Sequence, residues 1–332
     1  MLSAASAFAP ALAHASALEN EDPQLRLGAL IGDDSATYVR IAAFRLENGL
    51  PSLNVNALIY APDGLLWIGT GAGCVTFDGN RFRPIGPVRD RCHPTAVSGA
   101  LEVRRVEDLL VDRAGFVWVA GASGSLLRYA DECSAPTSVA TSQSYLTCLL
   151  EGDEGHVWLG GERLERVEVQ GDQLRVLPVL HGDVERPLHV TSMAKVALDA
   201  LDGGSQGTPS YAVFITSNRG LHRWTATDGL ELLDDRPRNA VFFDSEDHRW
   251  ELVGNDEFLR DGVSVQRWPS PLSELKVTET LANGETAVGF DEVLFLHRPG
   301  GHELTEIRQS GSPKAILSES NARTWLASEP HG

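Results

Sequence analysis

The chain of 332 residues carries 46 acidic and 28 basic side chains, which gives a formal net charge of −18 at pH 7. A surface of that sign disfavours nucleic acid phosphates and anionic membranes as partners. With 42% apolar and 22% charged residues, the chain has the composition of a globular protein. It is long enough for one large all-β domain or two medium domains.

The first 18 residues are almost all small and apolar, and charge begins abruptly at Glu19. Three overlapping small-x-small sites end at Ala13, Ala15 and Ala17, which is typical of a secretory signal and its cleavage site. No Lys or Arg precedes the apolar run, so either the true start lies upstream or the segment is a flexible Ala-rich tail. We expect residues 1–17 to be a signal peptide and the protein to be periplasmic or otherwise exported. No later stretch reaches the ~18 apolar residues that span a bilayer.

A repeated pattern follows, and its clearest copy is DGLLWIGTGAGCVTFDG, residues Asp63 to Gly79. An apolar run, Asp, Gly, an apolar residue, Trp and a small residue recur along the chain. Two degenerate copies place Phe214 and Ala287 where the Trp would be, and the steps between these anchor positions run from 36 to 56 residues. The tryptophan anchors are Trp67, Trp118, Trp158, Trp250 and Trp325.

Each unit is predicted to hold four short strands, which in the first unit are VNALIYA, LLWIGT, CVTFD and RFRPI. A period near 40 residues with four strands per unit is typical of β-propeller blades. We therefore predict an all-β protein, a β-propeller of four-stranded blades with about seven repeats, the last of them incomplete. Asp63 and Gly64 form a turn, and the tryptophan on the second strand faces the neighbouring blade. The glycine run that begins at Gly69 is a turn between strands, because a phosphate loop would open a helix.

The four cysteines contain no CxxC pair, so a zinc knuckle or a redox motif is not expected. Cys92 and Cys133 lie in polar loops near prolines and could form a disulfide in an exported protein. Such a bridge would contribute roughly 3–4 kcal/mol in the chain-entropy model. Cys74 and Cys148 lie in apolar runs and are expected to be buried free thiols.

The segment from Glu47 to Ile85 resembles the two-component regulator propeller repeat, whose motif includes GLP, VN, G-x-LWIGT and DG. The first three units match this repeat well, the later ones loosely, and the resemblance extends over about residues 38 to 328. Leu126, Arg128 and Tyr129 match it in the second unit. The matching residues of the first unit are Gly49, Leu50, Pro51, Val55, Asn56, Asp63, Gly64, Trp67, Ile68, Gly69, Thr70, Gly73, Asp78, Gly79 and Phe82.

The resemblance implies a periplasmic sensor of a histidine kinase, a hybrid regulator or a diguanylate cyclase. In that family two propellers usually occur in tandem, and a β-sandwich, a membrane helix and a signalling domain follow them. Known ligands of relatives are often oligosaccharides. We therefore expect a small-molecule or oligosaccharide ligand, with a second propeller or a signalling domain of the same receptor as partner.

The chain departs from the family because it stops at Gly332, within a unit that has only its first two strands. Residues Ala36 to Glu47 could supply the outer strand of that unit, which would still leave one strand missing. We assign the propeller to residues 36–332 and favour a fragment of a longer receptor. The alternative is a stand-alone propeller of six and a half units.

No catalytic residue, metal ligand or cofactor is predicted. Ser205 in GGSQG matches G-x-S-x-G, but a strand-like run follows it where a nucleophile elbow requires a helix. His181 and His189 are interpreted as surface loop histidines. Asp63, Asp112 and Asp153 are expected to share one position of the repeat and to act in turns.

We expect a ligand-binding sensor that is not itself an enzyme. An exported interaction scaffold and a propeller lyase or hydrolase are the alternatives. No binding residues are assigned, because the channel and loop residues differ from blade to blade with no chemical theme.

Overall fold

The computed structural model describes residues 27–32, 39–44, 46–85, 103–152, 155–170, 173–179, 188–197, 211–269, 271–272, 275–281, 283–290, 293–307, 312–318 and 323–329. The expected signal peptide and several residues discussed above lie outside these ranges. Those residues are Cys92, Asp153, His181 and Ser205.

The described residues form 28 strands and one short 3-10 helix, Leu46–Asn48. The strands are β1 (Leu27–Gly32), β2 (Val39–Phe44), β3 (Val55–Tyr60), β4 (Leu66–Thr70), β5 (Gly73–Phe77), β6 (Phe82–Pro84), β7 (Val106–Val111), β8 (Val117–Gly121), β9 (Leu126–Tyr129), β10 (Thr137–Val139), β11 (Leu146–Glu151), β12 (Val157–Gly161), β13 (Leu164–Gln170), β14 (Gln173–Pro178), β15 (Val190–Ala197), β16 (Tyr211–Ser217), β17 (Gly220–Thr225), β18 (Gly229–Asp234), β19 (Arg238–Phe243), β20 (Arg249–Val253), β21 (Glu257–Arg260), β22 (Val263–Arg267), β23 (Leu275–Thr280), β24 (Thr286–Phe290), β25 (Val293–His297), β26 (Leu304–Ile307), β27 (Ser312–Ser318) and β28 (Arg323–Glu329).

These strands make seven antiparallel sheets of four, and in six of them the strands follow one another in chain order. The first strand of every sheet contacts the first strand of the next sheet, from β3 through β7, β11, β15, β19 and β23 to β27, which again contacts β3. The sheets therefore stand around a central channel, with these seven inner strands along it. The prediction of an all-β propeller with four-stranded blades is confirmed.

The seventh blade joins the two ends of the chain. Its strand order is β27, β28, β1, β2, and β1 pairs with β28 so that Ala29 lies opposite Trp325. The strand β2 falls within residues 36–47 and is the outer strand, as predicted. The prediction that one strand would be missing was wrong, because Leu27–Gly32 supplies it. The propeller therefore includes residues before the predicted boundary at residue 36.

The seven anchor positions occupy one place in the sheet register, although the side chains there differ. Trp67, Trp118, Trp158 and Trp250 have no exposed surface, and Trp325 is buried as well. Each anchor lies opposite a residue near the end of its inner strand. The pairs are Trp67 with Ile59, Trp118 with Leu110, Trp158 with Leu150, Phe214 with Ala194, Trp250 with Phe242, Ala287 with Glu279 and Trp325 with Leu317.

The hydrophobic core is divided among the interfaces between blades. Trp67 of the first blade packs in a cluster with Val106, Leu109 and Val117 of the second blade. Trp118 packs in the same way with Leu146 and other residues of the third blade. A buried tryptophan side chain removes about 150–250 Å² from water, so these contacts dominate the cohesion between blades.

Among the described residues, two blades carry a buried carboxylate beneath the anchor tryptophan. The Oδ2 atom of Asp112 accepts a hydrogen bond from Nε1 of Trp118 at 2.8 Å, and Asp244 accepts one from Trp250 at 2.9 Å. The Oδ1 atom of Asp112 also accepts from the backbone N–H of Phe116 at 2.9 Å. Since such a carboxylate fixes both the turn and the indole, it orients the anchor in these blades.

The expected equivalence of Asp63 with Asp112 was wrong. The backbone N–H of Asp112 bonds to Phe116 across its turn, and the corresponding bond in the first blade starts from Ala61. Asp63 lies two residues further on, where its Oδ1 accepts from the backbone N–H of Leu65 at 2.9 Å. Turn chemistry thus holds at both positions, but only Asp112 reaches the tryptophan.

Glycine at position 69 makes room for the next blade. A Cβ atom added to Gly69 would lie 2.5 Å from Cγ1 of Val106, the first residue of β7. Gly160 of the third blade meets Val190, the first residue of β15, in the same way, at 2.8 Å. The glycine of the WIGT segment is therefore a packing residue of the blade interface.

Replacement of Gly69 by Ala should destabilise the protein by about 1–3 kcal/mol, the usual effect of overpacking a core. The free energy of unfolding in urea measures the change. Gly71→Ala in the same blade is the matched control, since its added Cβ would lie no closer than 3.4 Å to a neighbouring atom. Equal stability of the two variants would contradict this account of Gly69.

Removal of β1 and β2 should open the ring, because β28 then loses one of its two neighbouring strands and the seventh blade keeps only two. A chain of residues 45–332 should melt roughly 10 °C or more below a chain of residues 27–332, by the usual relation between stability and midpoint for a protein of this size. Differential scanning calorimetry measures both midpoints. Similar midpoints would show that the N-terminal strands do not close the propeller.

Candidate functional site: the channel mouth

All seven inner strands begin at the same end of the central channel. Side chains near the start of one inner strand bond to the start of the next one, as when Nδ2 of Asn56 donates to the carbonyl of Val106 at 2.7 Å. In the same way, Oγ1 of Thr147 donates to the carbonyl of Val190 at 3.0 Å. Neighbouring inner strands therefore run in parallel and in register. We call the end at which they begin the channel mouth.

Every inner strand has a break in its pairing at the channel mouth. The register shifts across the second residue of six of these strands, as between Val55 and Ala57 in β3, and the same shift occurs in β7, β11, β15, β19 and β23. In β27 it lies across the third residue, between Pro313 and Ala315. One residue of each inner strand therefore has no pairing partner on the adjacent strand, which defines a β-bulge. Bulges turn a side chain out of the ladder and are frequent beside binding and catalytic sites.

The residue at the bulge is polar in all seven blades, and none of the seven is buried. These residues, which we call the bulge ring, are Asn56, Glu107, Thr147, Thr191, Asn239, Lys276 and Lys314.

Part of the bulge ring holds neighbouring blades together. Asn56 and Thr147 donate to the next blade as described, and Oγ1 of Thr191 donates to the carbonyl of Arg238 at 3.2 Å. Each accepting carbonyl belongs to the first residue of the next inner strand. Because an inner strand has a free edge toward the channel, these bonds satisfy backbone groups that would otherwise lack a partner in the protein.

A second layer of polar contacts lies one residue further along the strands. The Oδ2 atom of Asp108 accepts from the backbone N–H of Leu149 in the third blade at 2.7 Å, and its Oδ1 accepts from Leu109 at 2.8 Å. Ser192 bonds likewise to the backbone of Val241 in the fifth blade. Burial raises the pKa of Asp108 to about 7 against these two bonds, and the nearby Glu107 raises it further.

The sequence analysis missed this site. No binding residues were assigned and no chemical theme was expected along the channel, yet the bulge residue of every inner strand is polar. The signal was present in the pairs VN, VE, LT, VT, RN and LK that open six of these strands, and in the PK pair that follows Ser312 at the start of the seventh. It could be found only by aligning the strands, because the residue types differ.

The residues singled out from the sequence lie elsewhere. His189 forms a hydrogen bond through Nδ1 with the hydroxyl of Tyr145 and stacks on its ring. Cys74 and Cys148 carry free thiols, and burial raises the pKa of both, to about 12 for Cys148. Cys133 is disulfide-bonded. Its pairing with Cys92 stays a prediction, since Cys92 lies outside the described residues.

Within the described part of the chain, His, Cys, Asp and Glu side chains form no group of three that could hold a metal ion. In the same residues, no helix has the length and hydropathy to cross a membrane.

The repeat and the fold both have known relatives. Residues 49–72 match the family model of the two component regulator propeller. The matched segment contains Asn56 of the bulge ring, the Asp63–Gly64 turn and the Trp67 anchor, so this part of the first blade is similar to the repeat of that family. No curated protein matches the chain significantly.

The fold is similar to extracellular domains of two hybrid two-component systems of B. thetaiotaomicron. The TM-score is 0.59 at 14% identity for BT3049 and 0.60 at 13% identity for BT4673. The alignments cover 87% and 92% of this chain but 42% and 39% of those domains. The chain thus spans less than half of their length.

A virginiamycin B lyase from Staphylococcus aureus has a similar fold, with a TM-score of 0.56 at 13% identity. That alignment covers 83% of this chain and 95% of the lyase. At these identities the comparisons establish the propeller fold alone.

Replacement of Asp108 by Asn should change how stability depends on pH. The folded pKa near 7 exceeds the unfolded value of about 3.9, so the native state keeps a proton that the unfolded state releases. The contribution of Asp108 is therefore complete below about pH 4 and is lost as pH rises to about 7. The free energy of unfolding of the wild type should fall over that interval relative to Asp108→Asn and stay level above it.

Urea unfolding at several pH values measures this difference. Asp78→Asn is the control, because hydrogen bonds from the backbone of Arg81 and Asn80 lower the pKa of that exposed carboxyl. Its effect should change below about pH 4 and remain constant from pH 5 to 8. A constant difference for Asp108→Asn from pH 4 to 8 would contradict the raised pKa.

Proposed function

We propose that this chain is the ligand-binding sensor propeller of an exported two-component signalling receptor of the histidine kinase type. The observation that carries the proposal is the match of residues 49–72 to the two component regulator propeller repeat. The likeness of the fold to extracellular domains of hybrid two-component systems supports it.

The channel mouth is the proposed binding site. It combines hydroxyl, amide, carboxylate and ammonium groups on rigid strands, with seven bulges that leave their side chains out of the ladder. Binding sites favour a few polar groups that are fixed by the scaffold in this way. An oligosaccharide is the expected ligand class, since its hydroxyl groups can bond to Thr147 and to the amides of Asn56 and Asn239.

The proposed site can report ligand binding to the rest of a receptor. Thr147 and Thr191 connect neighbouring inner strands, so a ligand that engages their hydroxyls acts on the contacts between blades. A ligand shifts a conformational equilibrium only by its different affinity for the two states. The two domains of known structure are more than twice as long as the aligned chain, and a second propeller or a signalling domain is the proposed recipient of that change.

The lyase alternative rests on fold likeness alone. The bulge ring has no histidine. A propeller enzyme needs converging catalytic groups, and fold likeness does not supply them. The sensor proposal has the additional support of the family repeat.

A substitution that fills the channel mouth should abolish ligand binding. Thr147 is exposed at the mouth, so Thr147→Arg places a long charged side chain there, whereas the exposed Thr280 lies at the opposite end of β23. Isothermal titration calorimetry with oligosaccharides, prepared from polysaccharides on which bacteria grow, identifies a ligand of the wild type. Binding should then weaken at least tenfold in Thr147→Arg and remain unchanged in the control Thr280→Arg.

The signalling role is tested on the complete gene product. Its autophosphorylation in membrane vesicles should change when that ligand is added, and Thr147→Arg should remove the response. Failure of every oligosaccharide and other small molecule to bind or to change phosphorylation would overturn the proposal.

A further inference from the structure

The chain uses lysine at very few positions. Only three of its 28 basic residues are lysines, and the other 25 are arginines. All three lysines lie on inner strands: Lys195 on β15, Lys276 on β23 and Lys314 on β27. Arginine therefore serves every other place where the protein needs a positive charge, including the buried ion pair of Arg238 with Glu251 at 2.8 Å.

Two of the lysines belong to the bulge ring. Lys276 lies between the paired residues Leu275 and Val277 of the sixth blade, and Lys314 lies between Pro313 and Ala315 of the seventh. Because β23 and β27 are neighbouring inner strands, these two bulges lie side by side at the channel mouth.

The third lysine occupies a different environment. Lys195 is in the regular part of β15, opposite Val213, and its Nζ lies 5.7 Å from the centre of the Tyr211 ring. That contact is a cation–π interaction, which accounts for the positive charge at this position.

The charges of the bulge ring are unevenly distributed. Its single acid, Glu107 of the second blade, forms an ion pair with Arg105 at 2.6 Å. Lys276 and Lys314 are neighbours of like charge, which repel one another unless an anion lies near both. Each also interacts with other groups of the protein, so an anion would join an existing network.

Ammonium groups are suited to binding an anion. The ammonium of lysine is a compact charge with three donors that adapts to many oxyanion geometries, whereas the planar guanidinium favours bidentate pairs. Lysine at both of these adjacent bulges, in a chain that otherwise uses arginine, indicates a requirement for the amine itself.

We propose that Lys276 and Lys314 form an oxyanion site at the channel mouth, which takes small ligands with carboxylate or phosphate groups. This inference rests on the proposed function, because it names the chemical class of ligand for the same mouth. The bulges next to these two in the ring carry Asn239 and Asn56, whose amides are polar groups for the remainder of such a ligand.

The test uses isothermal titration of the full chain with citrate, pyrophosphate and neutral maltotriose. Citrate or pyrophosphate should bind, and the affinity should fall as salt is raised. Lys276→Gln and Lys314→Gln should each weaken binding roughly tenfold, the size expected for loss of one hydrogen bond to a charged group. Lys276→Arg should recover only part of the affinity if the amine itself is required.

Lys195→Gln is the matched control, since it removes the remaining lysine from an inner strand outside the bulge ring. The affinity of the Lys195→Gln variant for the anion should equal that of the wild type. Circular dichroism should show the same β structure for all variants. An equal loss in all three Gln variants would overturn the proposal, and so would unchanged binding in Lys276→Gln and Lys314→Gln.

The two proposals can fail separately. Binding of neutral maltotriose alone, blocked by Thr147→Arg, would overturn the oxyanion site and leave the sensor function standing. Anion binding that depends on Lys276 and Lys314, with no ligand-dependent phosphorylation of the complete gene product, would support the site and contradict the sensor function. No binding of citrate or pyrophosphate would overturn the oxyanion site.

Discussion

The structure depends on contacts between blades, because the seven sheets share no hydrogen-bonded ladder. Each sheet of four strands completes its own antiparallel pairing, and an isolated blade would expose both faces to water. Trp67, Trp118 and their equivalents solve this problem when they pack into the following blade. A ring is then required, since the face of the last blade must also be covered. The N-terminal strands β1 and β2 complete the seventh blade, and its Trp325 packs with Leu66 and Ile68 of the first.

The same architecture leaves each inner strand with an unpaired edge at the channel, where backbone N–H and C=O groups lack a partner strand. The preceding blade supplies side chains that bond to this edge, namely Asn56, Thr147 and Thr191 at the bulges and Asp108 and Ser192 one residue later. A bulge permits this because it frees one residue from the ladder and turns it toward the neighbour. Three members of the polar ring at the mouth, Asn56, Thr147 and Thr191, thus satisfy the inner edges.

The features of the fold that could be predicted from the sequence are those that repeat along the chain. Tryptophan and glycine recur in spacing, so the four-stranded blades and even the degenerate anchors Phe214 and Ala287 could be placed. The strand β1 could not, since Leu27–Gly32 lacks any repeat feature and belongs to the last blade only through pairing with β28. Asp63 and Asp112 were equated because both precede a tryptophan closely, although a difference of two residues decides which carboxylate reaches the indole.

The bulge ring escaped prediction because its members share a place in the register and no residue type. The first residue of most inner strands is buried in a blade interface, as Val106 is against Gly69, and the fifth lies opposite the anchor. Packing therefore restricts both of these positions. The bulge residue stands outside the ladder and must only be polar enough for the mouth, so Asn, Glu, Thr and Lys are all accepted there. Because the fold does not restrict the residue type at the bulge, this position can determine which ligand binds. In the sixth and seventh blades it is occupied by lysine, in a chain whose other basic residues are almost all arginine.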